Sequence, residues 1–293
     1  MGVLSRSLED VAVEFLAHQR IYTEDPETTE SNLRIIKRHL GSRLLVDIGP
    51  REIEGMIAAR IQEGVAKATI NRQGATLSKL FAWSIERGYH PGPNPMRQIK
   101  KFRENPGRIR YLTGEEASRL ILAAAPHLKP ILVAGLHTGG RLNELLSLKW
   151  GDIDFDRGIV SFRRETTKSR KERQVPVSPE LTATLRRLRP GAPDERVFEY
   201  NGRGLVSVRS SFKRACRKAG LGRDVVFHTL RHSFASWFVM NGGDPYRLQK
   251  YLGHSTMTLT QRYSHLSPEF IRDGVQFIGP PQPVRRAQDQ EPT

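Results

Sequence analysis

Apolar residues recur every three or four positions through the first third of the chain, which predicts four short amphipathic helices. Ser7 with Asp10 is a capping pair typical of a helix start. Gly41 and Gly88 are predicted to end the second and fourth helices, and Gly64 is the predicted C-cap of the third. The predicted inward positions are Leu8, Val11, Phe15, Leu16, Leu33, Ile36, Leu40, Ile53, Ile57, Ile61, Ile70, Leu77, Leu80, Phe81 and Ile85. Four helices of this size predict a small helical bundle.

A stretch rich in proline, glycine and basic residues follows the bundle. Because HPGPNPMRQIKKFRENPGRIR has neither a helical nor a strand period, we interpret 99–110 as a linker between two domains, 1–98 and 111–278. Its charge suits a strap along a phosphate backbone and a hydrophilic tether equally well. The basic residues concerned are Lys100, Lys101, Arg103, Arg108 and Arg110. The final segment, 279–293, is rich in Pro, Gln and charge and is predicted to be disordered.

The second domain mixes helical and strand periods. Thr113 and Glu116 form a capping box on a first helix, and an apolar helix then breaks at Gly139 and Gly140. Two short β-branched runs predict strands around 159–162 and 175–177, joined by a polar hairpin tip. Further helices are predicted over 211–219, 228–240 and 245–252. The fold class predicted for the whole chain is mainly α with a small antiparallel β-sheet.

The net charge of the chain favours one class of binding partner. The 293 residues include 47 Lys+Arg against 31 Asp+Glu, a formal net charge of +16. A surplus of this size attracts a polyanion over long range, and nucleic acid is favoured because no basic amphipathic helix or lipidation motif points to a membrane. The single cysteine, Cys216, excludes an intrachain disulfide, and no apolar run resembles a signal peptide or membrane span. We therefore expect a cytoplasmic protein.

Three familiar cofactor sites are disfavoured by the residues. No G-x-x-x-x-G-K-[ST] motif is present for a nucleotide. The acidic run from Asp152 resembles a calcium loop, but Gly158 comes one place late and Arg163 stands where the bidentate Glu belongs. His228 and His232 have the i, i+4 spacing of a zinc pair but lack the Glu of H-E-x-x-H between them. We expect neither a cofactor nor a metal.

What remains is a set of cations, imidazoles and one tyrosine spread over the second domain. Arg141 follows two glycines at a helix start, where backbone N–H groups favour an anion. His228 and Arg231 lie one turn apart and share a helical face. Each such residue alone is typical of surface or structure, and Tyr263 alone favours a buried aromatic with a hydrogen-bonded hydroxyl.

Taken together and in order, TGGRLNELLSL, TKSRKERQVPV, HTLRHSFASW and LGHSTMTLTQRYSHL resemble the signature boxes of the tyrosine recombinase, or phage integrase, family. The resemblance covers the second domain, and the helical first third resembles the family's four-helix core-binding (SAM-like) domain, followed by an α+β catalytic domain. Glu144 matches the acidic residue that braces the site, and Gly140 departs from the usual apolar residue. The catalytic residues implied by the resemblance are Arg141, Lys168, His228, Arg231, His254 and Tyr263.

The resemblance implies a site-specific recombinase that cleaves and rejoins double-stranded DNA through a 3′-phosphotyrosyl bond to Tyr263, without ATP or metal. Arginines suit the phosphate because they stay charged and fork onto two oxygens. A tyrosine, with a reference pKa of ~10, needs a base, for which His228 is the candidate, and Lys168 is the candidate acid for the leaving 5′-oxygen. A homotetramer is implied in the synaptic complex, and a monomer or dimer when free.

Two alternatives stay open. A topoisomerase of the type IB kind shares the phosphotyrosine chemistry but relaxes supercoils without a partner site. A non-catalytic DNA-binding regulator on the same scaffold would bind DNA without forming a covalent adduct. The DNA sequence recognised and the biological setting, whether phage integration, transposition, an integron or chromosome-dimer resolution, do not follow from these residues, because specificity resides in base-edge contacts and DNA shape.

Overall fold

The fold is described from a computed structural model of the chain, in which residues 6–23, 25–104, 109–163, 172–188, 190–263 and 266 are described. The chain divides into two compact units, Met1–Gly107 and Arg108–Thr293. Across the residues described, every helix is too short or too polar to cross a membrane. The architecture is mainly helical with small antiparallel sheets, as the sequence predicts.

The first unit contains the four predicted helices. They are α1 (Leu8–Tyr22), α2 (Pro26–Leu40), α3 (Pro50–Gln62) and α4 (Lys67–Glu86). The predicted cap is present, because the Ser7 hydroxyl accepts a 3.1 Å hydrogen bond from the Asp10 backbone N–H. One continuous core, which includes Phe15, Ile36, Ile53 and Phe81, holds the four helices together.

The third helix buries a different face from the one predicted. Ile61 is 49% exposed, whereas Met56 and Arg60 are buried with Ile53. The buried face runs through 53, 56 and 60, with Ile57 partly buried against the same core, so Ile61 is the predicted inward residue that lies outside it. Arg60 lies inward because its guanidinium pairs with Glu63 one turn later, which leaves the aliphatic stem to pack.

Part of the predicted linker is attached to the first unit. The Asn71 side chain donates to the Phe102 carbonyl at 2.9 Å and accepts from the Phe102 N–H at 3.0 Å. These two bonds pair a stretch of irregular backbone with a helix of the bundle. The division into domains 1–98 and 111–278 stays a prediction, and the predicted tail 279–293 lies outside the described residues.

The second unit surrounds a buried helix with further helices and a small sheet. Strands β1 (Ile153–Asp154), β2 (Ile159–Phe162) and β3 (Arg173–Pro176) form an antiparallel sheet in that order, in which Val160 pairs with Val175. Strands β4 (Glu199–Tyr200) and β5 (Arg203–Gly204) form a separate hairpin. The helices are α5 (Gly114–Ala123), α6 (Lys129–Thr138), α7 (Leu142–Leu146), α8 (Pro179–Arg186), α9 (Arg209–Lys218), α10 (Phe227–Met240), α11 (Pro245–Leu252) and α12 (Thr258–Gln261).

The fold confirms the predicted capping box and reveals three elements that the patterns did not predict. Thr113 Oγ1 accepts from the Glu116 N–H, and the Glu116 carboxylate accepts from the Thr113 N–H. The unpredicted elements are β1, α8 and the β4–β5 hairpin, each too short to show a clear period. A local signal for α8 was present, because Ser178 followed by Pro179 is an N-cap followed by the favoured first helical residue.

Candidate active site

Five of the six predicted catalytic residues are described, and all five lie at or near helix ends of the second unit. Arg141 is the N-cap of α7, and His228 and Arg231 lie on α10. His254 follows α11, and Tyr263 follows α12. The sixth, Lys168, lies outside the described residues. The fold brings Arg141 and Tyr263, about 120 positions apart in the chain, close to Arg231 in one electrostatic cluster.

Arg231 is the buried centre of this cluster. Only 3% of the residue is exposed, and its guanidinium donates to the Gly139 carbonyl at 2.8 Å and to the Leu252 carbonyl at 2.6 Å. Burial, followed by the charges of Arg141 and Arg173, lowers the pKa of Arg231 to about 9, so the group stays charged at neutral pH. Arg231 thereby joins the loop before α7 to the end of α11 and supplies a fixed positive charge between them.

Glu144 positions Arg141 at the start of α7. Its carboxylate accepts from the Arg141 backbone N–H at 2.7 Å and from Arg141 Nη1 at 2.8 Å. Burial acts to raise the pKa of Glu144, but hydrogen bonds and charge from Arg173 and Arg141 outweigh it and lower the pKa below its usual range. The bracing role implied for Glu144 thus has a geometric basis, and Arg141 remains the more accessible cation, with 27% of its side chain exposed.

Arg173 is a further member of the cluster, which the signature boxes do not indicate. Its guanidinium donates to both Glu144 carboxylate oxygens, at 3.1 and 2.5 Å, and to the Tyr251 carbonyl at 2.8 Å, and it lies 4.3 Å from the Phe162 ring centroid. The strand pattern indicates a buried position for this residue, because Arg173 and Val175 are two positions apart in β3 and therefore lie on the same, inward face. A buried arginine needs hydrogen-bond acceptors within the fold, and a carboxylate also neutralises its charge.

The turn before Arg141 depends on two glycines. Gly139 has a φ of 63°, in the left-handed region that favours glycine. A Cβ at Gly140 would lie 2.9 Å from Leu145 Cδ2 and from Phe162 Cζ. The departure from the family pattern at Gly140 therefore has a packing reason, since these two side chains occupy the space that an apolar residue would need.

Tyr263 is buried, and its hydroxyl lies 2.7 Å from His232 Nδ1. Burial raises the pKa of Tyr263, and the charges of Arg231 and Arg262 partly offset that rise. The hydrogen-bond partner is the histidine after Arg231, not His228, which the sequence pointed to as the base. The two imidazoles are neighbours, with ring centroids 4.8 Å apart and planes perpendicular at 89°.

The imidazoles of the cluster are held in the neutral form. Burial first, and then neighbouring cations, lowers the pKa of His232 and of His254 to about 4, and the pKa of His228 is lowered for the same reasons. His254 Nδ1 lies 2.9 Å from the hydroxyl of the buried Thr260, which orients the ring. Within the described residues, no three His, Cys, Asp or Glu side chains come together as a metal site.

The lowered pKa values of His232 and His254 predict how the stability of the fold depends on pH. An unfolded histidine has a pKa of ~6.5, so between pH 6.5 and about 4 the unfolded chain binds protons that folded His232 and His254 do not. The unfolding free energy is therefore expected to decrease as pH falls through this window, by about 1–2 kcal/mol for each histidine, since partial contact with solvent reduces the effect. Urea unfolding at pH 7.5, 6 and 5 measures it, and a flat profile would contradict the neutral assignment.

Two models of known protein families match the chain. The model of the phage integrase family matches residues 110–269, and the model of the phage integrase N-terminal domain matches residues 5–103. The chain belongs to the phage integrase family.

Two relatives illustrate the similarity in sequence. The integrase of Escherichia phage P2 is 33% identical over 218 residues, which cover 74% of this chain and 61% of the relative. The tyrosine recombinase XerC of Xanthomonas axonopodis pv. citri is 31% identical over 221 residues, 72% of this chain and 71% of the relative. The chain spans about three fifths of the length of the phage integrases it matches.

Solved structures agree on the fold. The Tn1549 transposon integrase in complex with a circular intermediate DNA superposes with a TM-score of 0.78 at 19% identity, over 94% of this chain and 100% of that one. A lambda integrase dimer bound to a COC′ core site gives 0.75 at 23% identity, over 89% and 77%. Both superpositions cover most of this chain and agree with its mainly helical fold.

Proposed function

We propose that the chain is a site-specific DNA recombinase that cuts and rejoins strands through a covalent bond between Tyr263 and a DNA 3′-phosphate. One observation carries the proposal. A buried cluster of arginines lies beside a tyrosine whose hydroxyl is held by a neutral imidazole, and Arg231 and that imidazole are adjacent residues of α10.

The cluster suits an anion that gains charge as it reacts. Arg141, Arg173 and Arg231 against Glu144 leave a surplus of about two positive charges where a phosphate is to bind. Attack on a phosphodiester builds negative charge on the non-bridging oxygens, and preorganised donors away from water stabilise that state. Each charge at 4 Å contributes ~4 kcal/mol at an effective dielectric of 20, before desolvation costs. We assign phosphate contact to Arg141, Arg231 and His254.

The proposed reaction is a reversible exchange of esters. The Tyr263 oxygen forms a bond to phosphorus, the bond to the deoxyribose 5′-oxygen breaks, and the phenol proton passes to an imidazole of the His228–His232 pair. Lys168, at the predicted hairpin tip, is the proposed donor of a proton to the leaving 5′-oxygen. A 5′-hydroxyl of a second duplex then reverses the attack, so the exchange consumes neither ATP nor water.

Double-stranded DNA is the proposed partner. The net charge of +16 favours a polyanion, and similar structures are those of integrases bound to DNA. A lambda integrase tetramer bound to a Holliday junction supports a homotetramer for the synaptic complex, and we propose a monomer or dimer for the free protein. We propose a cytoplasmic location, because DNA is the proposed partner.

Trapping of the covalent intermediate tests the proposal. Footprinting over the DNA that flanks its own gene identifies the bound duplex, which is then nicked near the cleavage point so that the cut fragment diffuses away. We expect wild-type protein to give an adduct that resists detergent and is removed by protease, and Tyr263→Phe to give none. Tyr246→Phe is the matched control, because Tyr246 is 57% exposed on α11 and its variant should form the adduct normally.

The same assay separates the alternatives. DNA binding without an adduct in wild type would favour the regulator, and an adduct in Tyr263→Phe would transfer the chemistry to another residue. An adduct accompanied by relaxation of plasmids that carry no paired sites would favour the topoisomerase. Strand exchange only between two bound sites supports the recombinase.

A further inference from the structure

The contacts of His232 decide which imidazole of the His228–His232 pair takes the phenol proton. Its Nδ1 lies 2.7 Å from the Tyr263 hydroxyl, which is a hydrogen-bond distance, and the two ring centroids are 6.0 Å apart. Tyr263 is 3% exposed, so this contact is sheltered from solvent. His228, the base suggested by the sequence, packs against His232 in a T-shaped arrangement.

We propose that His232 is the catalytic base of this site and takes the phenol proton directly as the Tyr263 oxygen attacks phosphorus. The inference rests on the proposed function and names which imidazole of the pair acts. In this step the O–H bond of Tyr263 breaks, its proton joins His232 Nδ1, and the oxygen's electron pair forms the bond to phosphorus. The leaving 5′-oxygen takes its proton from a separate donor, so protons balance across the step.

Substrate binding changes the basicity of His232. The groups that face it are His228 and Arg231 on α10 and Arg262 beside Tyr263, and burial together with these groups lowers its pKa to about 4. A weak base of this kind keeps Tyr263 protonated while no DNA is bound. A phosphate bound at Arg231 adds negative charge beside the imidazole, which raises its pKa toward the working pH. The nucleophile is therefore activated only when the substrate is in place.

The pair of histidines accepts one proton at a time. With the ring centroids 4.8 Å apart, a charge on His232 disfavours a charge on His228. His232 is in contact with the reacting oxygen and takes the proton first. This leaves His228 for the phosphate side of the site, where Arg231 and Arg141 are the cations that most affect it.

Matched substitutions at the two histidines test the inference in single-turnover cleavage of the nicked duplex, measured from pH 5 to 9. His232→Asn keeps a hydrogen-bonding atom near the Tyr263 hydroxyl but cannot take a proton in this range. We expect its cleavage rate constant to fall ~10²–10³-fold, as removal of a general base does, with loss of the acidic limb of the pH profile and unchanged DNA affinity. His228→Asn should retain that limb.

A second substitution makes the result independent of packing. With 3-fluorotyrosine at position 263, the phenol is more acidic and depends less on a base, so the defect of His232→Asn should shrink at least tenfold. A defect caused by disturbed packing would not respond to the acidity of the nucleophile.

The possible outcomes separate the assignment of His232 as the base from the phosphotyrosine mechanism as a whole. Wild-type rate and profile in His232→Asn, or loss of the acidic limb in His228→Asn instead, would overturn the assignment of His232 and leave the phosphotyrosine mechanism standing. Failure of wild type to form any adduct on bound DNA would overturn both. If His232→Asn binds DNA and melts like wild type yet cleaves slowly in a manner that fluorotyrosine rescues, the inference is supported.

Discussion

Glu144→Ala is expected to lower the unfolding free energy of the second unit by about 3–5 kcal/mol, the usual cost of leaving one member of a buried ion pair without its partner. Both oxygens of Glu144 are bonded to Arg173, whose side chain is 5% exposed. The alanine variant retains the Arg173 charge in a place that water reaches poorly. It also removes the acceptor of the Arg141 N–H at the start of α7.

Denaturant unfolding measures this effect, and two variants make it specific. Glu115→Ala, the same substitution at an exposed position in the first turn of α5, should cost at most about 1 kcal/mol. The double variant Glu144→Met with Arg173→Met should be more stable than Glu144→Ala, because it leaves neither charge stranded. Equal losses in Glu144→Ala and Glu115→Ala would show that Arg173 does not depend on Glu144.

The predictions from sequence were strongest where a residue's role is decided by near neighbours in the chain. The Ser7 cap and the Thr113–Glu116 box were predicted correctly, because both partners lie within one helical turn. The inward placement of Ile61 was wrong, because the packing of a whole helix decides which of two adjoining faces is buried. Short elements such as α8 escaped detection because eight residues show little more than two turns of periodicity.

In the candidate site, too, the residues carried by local motifs were predicted, and those defined by distant contacts were missed. The signature boxes indicated Arg141, His228, Arg231, His254 and Tyr263, and the fold brings them into one cluster. Arg173 and His232 escaped because their partners, Glu144 and Tyr263, are about thirty positions away in the chain. No local spacing rule connects residues so far apart, so their contacts appear only once β3, α7, α10 and α12 are assembled.

Arg231→Lys is expected to reduce the rate of DNA cleavage by ~10²–10³-fold while the protein remains folded. The arginine uses two nitrogens to bind the carbonyls of Gly139 and Leu252, which fixes where its charge lies. Lysine keeps a positive charge but has a single nitrogen, so it cannot span both carbonyls and face a phosphate in a defined direction. Loss of one preorganised donor to a developing oxyanion has an effect of this size.

The unfolding free energy of Arg231→Lys should change less than its rate of DNA cleavage. Losing one of two buried hydrogen bonds in Arg231→Lys is expected to cost about 1–3 kcal/mol, whereas Arg231→Ala strands both carbonyls and should cost more. Arg157→Lys is the matched control, since Arg157 is exposed in the turn between β1 and β2 and should cleave at the wild-type rate. Single-turnover cleavage and denaturant unfolding of the three variants give the comparison. If Arg231→Lys cleaves within threefold of wild type, charge alone suffices at this position, and the fork between Gly139 and Leu252 serves only to hold α11 against the α6–α7 turn.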